Sequence, residues 1–87
     1  MRTWIGKMIL DNKEVEVTVN FIKPSINNFG KWYGYGYCDS VLNIDTYHTN
    51  IGEIIINCIR FNLGKCYFEF IGSGMPEGEL KKYIDKM

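Results

Sequence analysis

Apolar and polar residues alternate along most of this chain, and that pattern predicts strands rather than helices. The alternation is clearest over residues 14–22, where one face carries Val15, Val17, Val19 and Phe21. Residues 3–10 form an apolar run before it, and the intervening residues 11–13 are Asp, Asn and Lys, which suit a tight turn with left-handed backbone. The two segments therefore predict a β-hairpin over residues 3–22.

A second hairpin is predicted over residues 53–71. Residues 53–62 are apolar on both faces, which is typical of a strand buried on both sides, so we expect this strand to be the central, most buried one. Asn62, Leu63 and Gly64 turn the chain. Residues 65–71 then return with two distinct faces, one carrying Cys66, Phe68 and Phe70 and the other carrying Tyr67 and Glu69.

The remaining segments predict weaker elements. Residues 31–38 and 41–46 read as strands, whereas residues 23–30 and the polar tip 47–50 read as loops. Pro76 suits the first turn of a helix, and Leu80 and Ile84 recur at helical spacing after it. One short amphipathic helix is therefore expected at the end of the chain.

These elements predict a mainly β protein with one C-terminal α-helix. Six strands and a helix in 87 residues leave little loop, so we expect residues 1–87 to form a single domain, built as a small antiparallel β-barrel or a two-layer β-roll. The composition agrees, because the chain has 12 Ile and no Ala, the residue with the best helix propensity.

Charge and cysteine content narrow the class of protein. Ten basic and ten acidic residues give no net charge, which disfavours a protein that tracks phosphates. The three cysteines are an odd number without a C-x-x-C spacing, so we expect no disulfide framework, no metal and no cofactor. The chain has neither a signal-peptide core nor an apolar stretch near the roughly 20 residues of a membrane span, so we expect a cytoplasmic protein with no membrane partner.

The row of Tyr33, Tyr35 and Tyr37 is the most informative feature for function. Its rings recur about 7 Å apart on one face of a strand, with Gly34 and Gly36 on the other face. If the rings face outward, they form an aromatic platform with Lys31 beside them, able to hold a base, a sugar or a partner protein. If they face inward, they form the core and the glycines lie outside. On balance the pattern favours the core arrangement.

Catalytic chemistry is not indicated. His48 with Asp45, Asp39 and Cys38 is the only grouping of suitable side chains, and its spacing matches no catalytic or metal-binding template. We therefore predict no catalytic residue and no enzyme. Further candidate binding residues lie at predicted loop tips: Phe29, Tyr47 and His48.

Two functions remain open on this sequence. We expect a non-enzymatic module that binds another protein and occupies its surface, because aromatic residues without a charge field suit protein interfaces. The enrichment in Ile, Asn and Lys is typical of AT-rich coding sequences, so such a module is plausible as a phage or mobile-element inhibitor of a host defence protein. The alternative is a small barrel that binds single-stranded nucleic acid or an oligosaccharide through the tyrosine row. Homodimerisation through a sheet edge is also open.

Overall fold

A computed structural model describes residues 2–21 and 31–86. The prediction of a mainly β protein with one short C-terminal helix is confirmed for this part of the chain. Its elements are β1 (Arg2–Leu10), β2 (Lys13–Phe21), β3 (Trp32–Cys38), β4 (Thr46–Thr49), β5 (Gly52–Asn62), β6 (Lys65–Ser73) and α1 (Gly78–Asp85). The loop predicted over residues 23–30 lies outside the described residues.

The strands form one antiparallel sheet in the order β1-β2-β3-β6-β5-β4, curled into a half-barrel. Both predicted hairpins are present, β1 with β2 and β5 with β6. Each turns through two residues with positive φ, Asp11 (49°) and Asn12 (65°) in the first, Leu63 (51°) and Gly64 (76°) in the second. Such turns match the twist of the flanking strands and fix the register of each hairpin.

The hydrophobic core lies on the inner face of the curled sheet. The alternation in β2 buries the side chains that the sequence assigned to the interior, and β6 does the same with Cys66, Phe68 and Phe70. α1 covers this face: Leu80 is fully buried, and the Tyr83 ring stacks on Phe21 with 5.8 Å between ring centroids. On the outer face, by contrast, Ile5, Tyr35 and Tyr37 are exposed.

The segment between β3 and β5 differs from its prediction. Residues 41–45 form no strand, and β4 occupies Thr46–Thr49, where a loop was expected. The turn between β4 and β5 comes later, at Asn50 and Ile51, and the Thr49 hydroxyl closes it by donating to the Gly52 carbonyl (2.6 Å) and accepting from the Ile51 N–H (3.2 Å). Leu42 nevertheless reaches the core without belonging to a strand.

The position of β5 also differs. The two middle strands of the sheet are β3 and β6, and β5 lies next to the edge strand β4. A β-bulge between Ile56 and Cys58 shifts the alternation by one residue, so that Ile56 and Ile59 lie toward the inner side while Cys58 and Arg60 lie on the outer side. The apolar pattern on both faces therefore reflects a bulge rather than burial of both faces.

Candidate functional site

The tyrosine row of β3 faces outward because β6 fills the space on the other side of the strand. Gly34 lies opposite Phe70, and Gly36 lies opposite Phe68. A Cβ atom at Gly34 would collide with the backbone carbonyl of Thr18 and with the Phe70 ring. The middle of the inner face of β3 thus carries only glycines because two phenylalanine rings from the neighbouring strand occupy that space.

The expectation that the tyrosine rings form the core is therefore wrong. Tyr35 is 53% exposed and Tyr37 is 48% exposed, while Tyr33 is half-buried on the same face. No signal within the sequence decides the orientation, because the direct pairing of Tyr35 with Glu69 is visible only in the structure. A carboxylate belongs on the solvent side, so its cross-strand neighbour belongs there too.

A fourth tyrosine and a lysine join the row from β6. Tyr67 lies opposite Tyr37, and their ring centroids are 5.6 Å apart. The Lys65 ammonium lies 4.7 Å from the centre of the Tyr37 ring, within cation–π distance. Lys31, the cation expected beside the row, is exposed just before β3 and has no ion pair or ring contact with another described residue. Tyr67 and Lys65 were missed because the sequence does not reveal that β3 and β6 are neighbours.

Beside these rings lies a shallow groove of about 320 Å³ on the outer face, which we call the tyrosine groove. It is lined by Tyr35, Gly36, Cys58, Arg60, Asn62, Tyr67, Phe68 and Glu69. The bulge in β5 creates its far wall, because without the shift in alternation Cys58 and Arg60 would lie toward the inner face. Arg60 and Glu69 place one positive and one negative group among the aromatic rings.

The predicted loop-tip residues do not form a common site with the tyrosine groove. Tyr47 belongs to β4 and packs against the core, and its hydroxyl donates to the Asn43 carbonyl (3.1 Å) and accepts from the Asn43 N–H (3.2 Å). His48 is exposed on β4, opposite Glu53. Phe29 lies outside the described residues. Tyr47 and His48 are therefore strand residues at the sheet edge, and the prediction that they lie at a loop tip is wrong.

The grouping of His48 with Cys38 and its acidic neighbours is spread across the sheet. Cys38 is buried on the inner face of β3, opposite Cys66, and its thiol donates to the Ser40 carbonyl (3.2 Å). Strands β6 and β5 separate β3 from His48 on β4, which is roughly 14 Å along a sheet with about 4.8 Å between strands. Burial raises the pKa of the Cys38 thiol, so this group stays protonated and behaves as a small apolar side chain.

The outer face thus combines aromatic surface, phenol hydroxyls and single charges of both signs, which suits binding better than covalent chemistry. Within residues 2–21 and 31–86, no group of three or more His, Cys, Asp or Glu side chains is placed to hold a metal ion. The eight-residue α1, the helix of the described region, is too short to cross a membrane. Comparisons with protein-family models, curated proteins and solved structures found no match to this chain.

Proposed function

We propose that this chain is a non-enzymatic module that binds another protein by covering part of its surface. The observation that carries the proposal is the exposed tyrosine groove on the outer face. Tyrosine and arginine are the residues that contribute most often to protein interfaces, because each offers a large contact area together with a hydrogen-bonding end. The zero net charge and the Arg60 and Glu69 side chains in one groove favour a surface of mixed polarity as the partner.

The composition suggests which kind of protein the partner is. An Ile-, Asn- and Lys-rich chain of this size fits a phage or mobile element, whose small proteins act in the host cytoplasm. We therefore extend the proposal to an inhibitor of a host defence protein that works by steric occlusion. This extension rests on composition alone and is tested by the identity of the partner.

A second candidate function uses the same surface. Tyr37, Tyr67 and Lys65 form a cluster of stacked rings and a cation that also suits a base of single-stranded nucleic acid or a sugar ring. Against a nucleic acid stand the zero net charge and the Glu69 carboxylate in the groove, which would repel phosphates. Protein binding is for this reason the first proposal.

The test of protein binding uses the chain as bait in lysates of candidate host bacteria. Tyr35→Ser combined with Tyr67→Ser removes the aromatic surface of the groove. Ile5→Ser combined with Ile9→Ser is the matched control, because it removes two exposed apolar side chains of the outer face at the far edge of the sheet. We expect the wild type and the control to retain the same protein, and the tyrosine variant to bind it at least about tenfold more weakly. Equal retention by all three would contradict the proposal.

The nucleic-acid alternative is tested with a fluorescently labelled oligothymidylate at low salt. The label must be on the ligand, because Trp32 is buried and Trp4 half-buried on the inner face, so neither would report binding at the tyrosine groove. Binding that weakens with added salt and is lost in the tyrosine variant would support this alternative over the first proposal. No change in anisotropy at low salt would exclude it.

A further inference from the structure

Among the described residues 2–21 and 31–86, no strand neighbours the part of β5 beyond its bulge on one side. β4 pairs only with Gly52–Ile55, and the next contact along that edge is the Ile56 N–H, which donates to the Asp45 carbonyl (2.9 Å). From residue 57 to residue 61, no described residue hydrogen-bonds to the backbone on that side. We call residues 57–61 the free edge.

The hairpin turn determines which backbone groups the free edge presents. In a two-residue hairpin the flanking residues, here Asn62 and Lys65, exchange both hydrogen bonds, and pairs further along alternate between bonded and non-bonded. Arg60 is therefore bonded to Tyr67 on β6, whereas the N–H and C=O groups of Ile59 and Phe61 point away from the sheet.

On the other long edge of the sheet, side chains of the chain itself bond three backbone groups of β1. Along β1, the Thr3 carbonyl accepts from the Tyr83 hydroxyl (2.9 Å), and the Lys7 carbonyl accepts from the Asn50 side-chain amide (3.2 Å). The Ile9 N–H donates to the Asn50 side-chain oxygen (2.6 Å). Proteins commonly protect exposed edges in such ways, so an edge left open beside a protected one indicates a docking position.

The surroundings of the free edge match this interpretation. On its inner side lie Phe61, 63% exposed, and the half-buried Ile59; Leu63, 92% exposed, follows at the turn. On its outer side Cys58 and Arg60 line the tyrosine groove, so the edge and the groove are one continuous surface. The free edge contains no proline, and its one charged side chain, Arg60, lies on the outer side in the tyrosine groove.

We propose that the free edge of β5 binds an extended segment of the partner protein, which adds a strand to the sheet. This inference rests on the proposed function and specifies its partner. A segment of about five residues fits, roughly 17 Å long. Its alternate side chains would be apolar toward Ile59 and Phe61, and acidic or polar toward Arg60 and the tyrosine groove.

A second copy of the chain fits the free edge poorly. An antiparallel pair centred on Ile59 would drive the Leu63 turn of the second copy into the segment at Asp45 that already bonds to Ile56. A pair centred on Arg60 would place two guanidinium groups directly opposite each other. A dimer centred on Phe61 would form little more than one hydrogen-bonded residue pair between the two strands. An extended segment of a different protein, with no turn at this position and no arginine opposite Arg60, avoids all three conflicts.

The test selects displayed ten-residue peptides of random sequence on the immobilised wild-type protein. Phe61→Pro removes one outward N–H and places a ring where the peptide carbonyl must lie, yet it breaks no hydrogen bond within the sheet. Phe61→Thr is the matched control, because it loses the same side chain but keeps the N–H and the strand preference. Circular dichroism verifies that both variants fold.

We expect selected peptides with alternating apolar and acidic or polar positions. Phe61→Pro should weaken their binding at least about tenfold, and Phe61→Thr by no more than about threefold. The amides of Ile59 and Phe61 should exchange hydrogen rapidly in the free protein and slowly with peptide bound.

Three results would overturn strand addition: peptides without alternation, equal binding by Phe61→Pro, or a wild-type dimer in sedimentation that Phe61→Pro converts to a monomer. The proposed function fails separately. If the selected peptides still bind Phe61→Pro but no longer bind the variant with Tyr35→Ser and Tyr67→Ser, the tyrosine groove is the binding surface and strand addition is excluded. If the wild-type bait retains no protein from the lysates, protein binding itself is contradicted.

Discussion

Two glycines determine which way the tyrosines of β3 face. The Phe68 and Phe70 rings need space on the inner side of the sheet, and Gly36 and Gly34 supply it directly opposite them. Because neighbouring side chains of a strand point to opposite faces, the inward position of these two glycines places Tyr35 and Tyr37 outside. The exposure of the candidate binding surface is thus a consequence of core packing on the other side of the same strand.

Gly34→Ala should destabilise the fold by about 2 to 4 kcal/mol, since the new methyl group collides with the Thr18 carbonyl and the Phe70 ring. Tyr35→Ala at the adjacent, exposed position should cost less than about 1 kcal/mol. Urea unfolding of the two variants measures both values. Equal destabilisation would show that the inner face of β3 is not closely packed.

The same residues show what the sequence could not decide. The alternation in β2 predicts the buried face because charged or small polar residues occupy the other one, and in β6 the charged residues Lys65 and Glu69 mark the outer face. In β3 that contrast is absent, since tyrosine suits both a core and a surface and glycine has no preference for either. The orientation depends on the strand that lies beside β3, which is distant in sequence.

Individual strands depart from their sequence patterns where local geometry intervenes. An apolar run such as residues 53–62 cannot distinguish a strand buried on both faces from one whose alternation is shifted by a bulge. Here the shift at Ile56 and Cys58 carries Arg60 to the outer face, where it joins the tyrosine groove. Thr46–Thr49 similarly looked like a loop because β4 is short, polar and at an edge.

The β4–β5 turn holds β1 through one side chain, and its removal is testable. Asn50→Ala deletes both hydrogen bonds to β1 and leaves the backbone groups of Lys7 and Ile9 to solvent. We expect a loss of about 1 to 2 kcal/mol in unfolding free energy and faster hydrogen exchange at the Ile9 amide. Asn57→Ala, the same substitution at the exposed bulge, is the control and should change neither.

The strand order of the entire sheet explains why the binding surface could not be assembled from sequence. Tyr35, Arg60 and Tyr67 come from three strands, and only the order β3-β6-β5 makes them neighbours. The curl brings the two edge strands toward each other and presents β3, β6 and β5 on the outside of the half-barrel. Periodicity predicts the strands themselves, but the order in which distant strands pair depends on packing across the sheet.

α1 should be stable only as part of this assembly, because an isolated helix of eight residues is too short to persist in water. Leu80→Ala removes its one fully buried side chain from the core and should cost about 2 to 4 kcal/mol. Met75→Ala, at a residue exposed just before the helix, should cost little and is the control. Because helix and sheet share one core, far-UV circular dichroism and the fluorescence of Trp4 and Trp32 should report the same urea midpoint in each variant. Separate midpoints in Leu80→Ala would mean that the sheet folds without its helix.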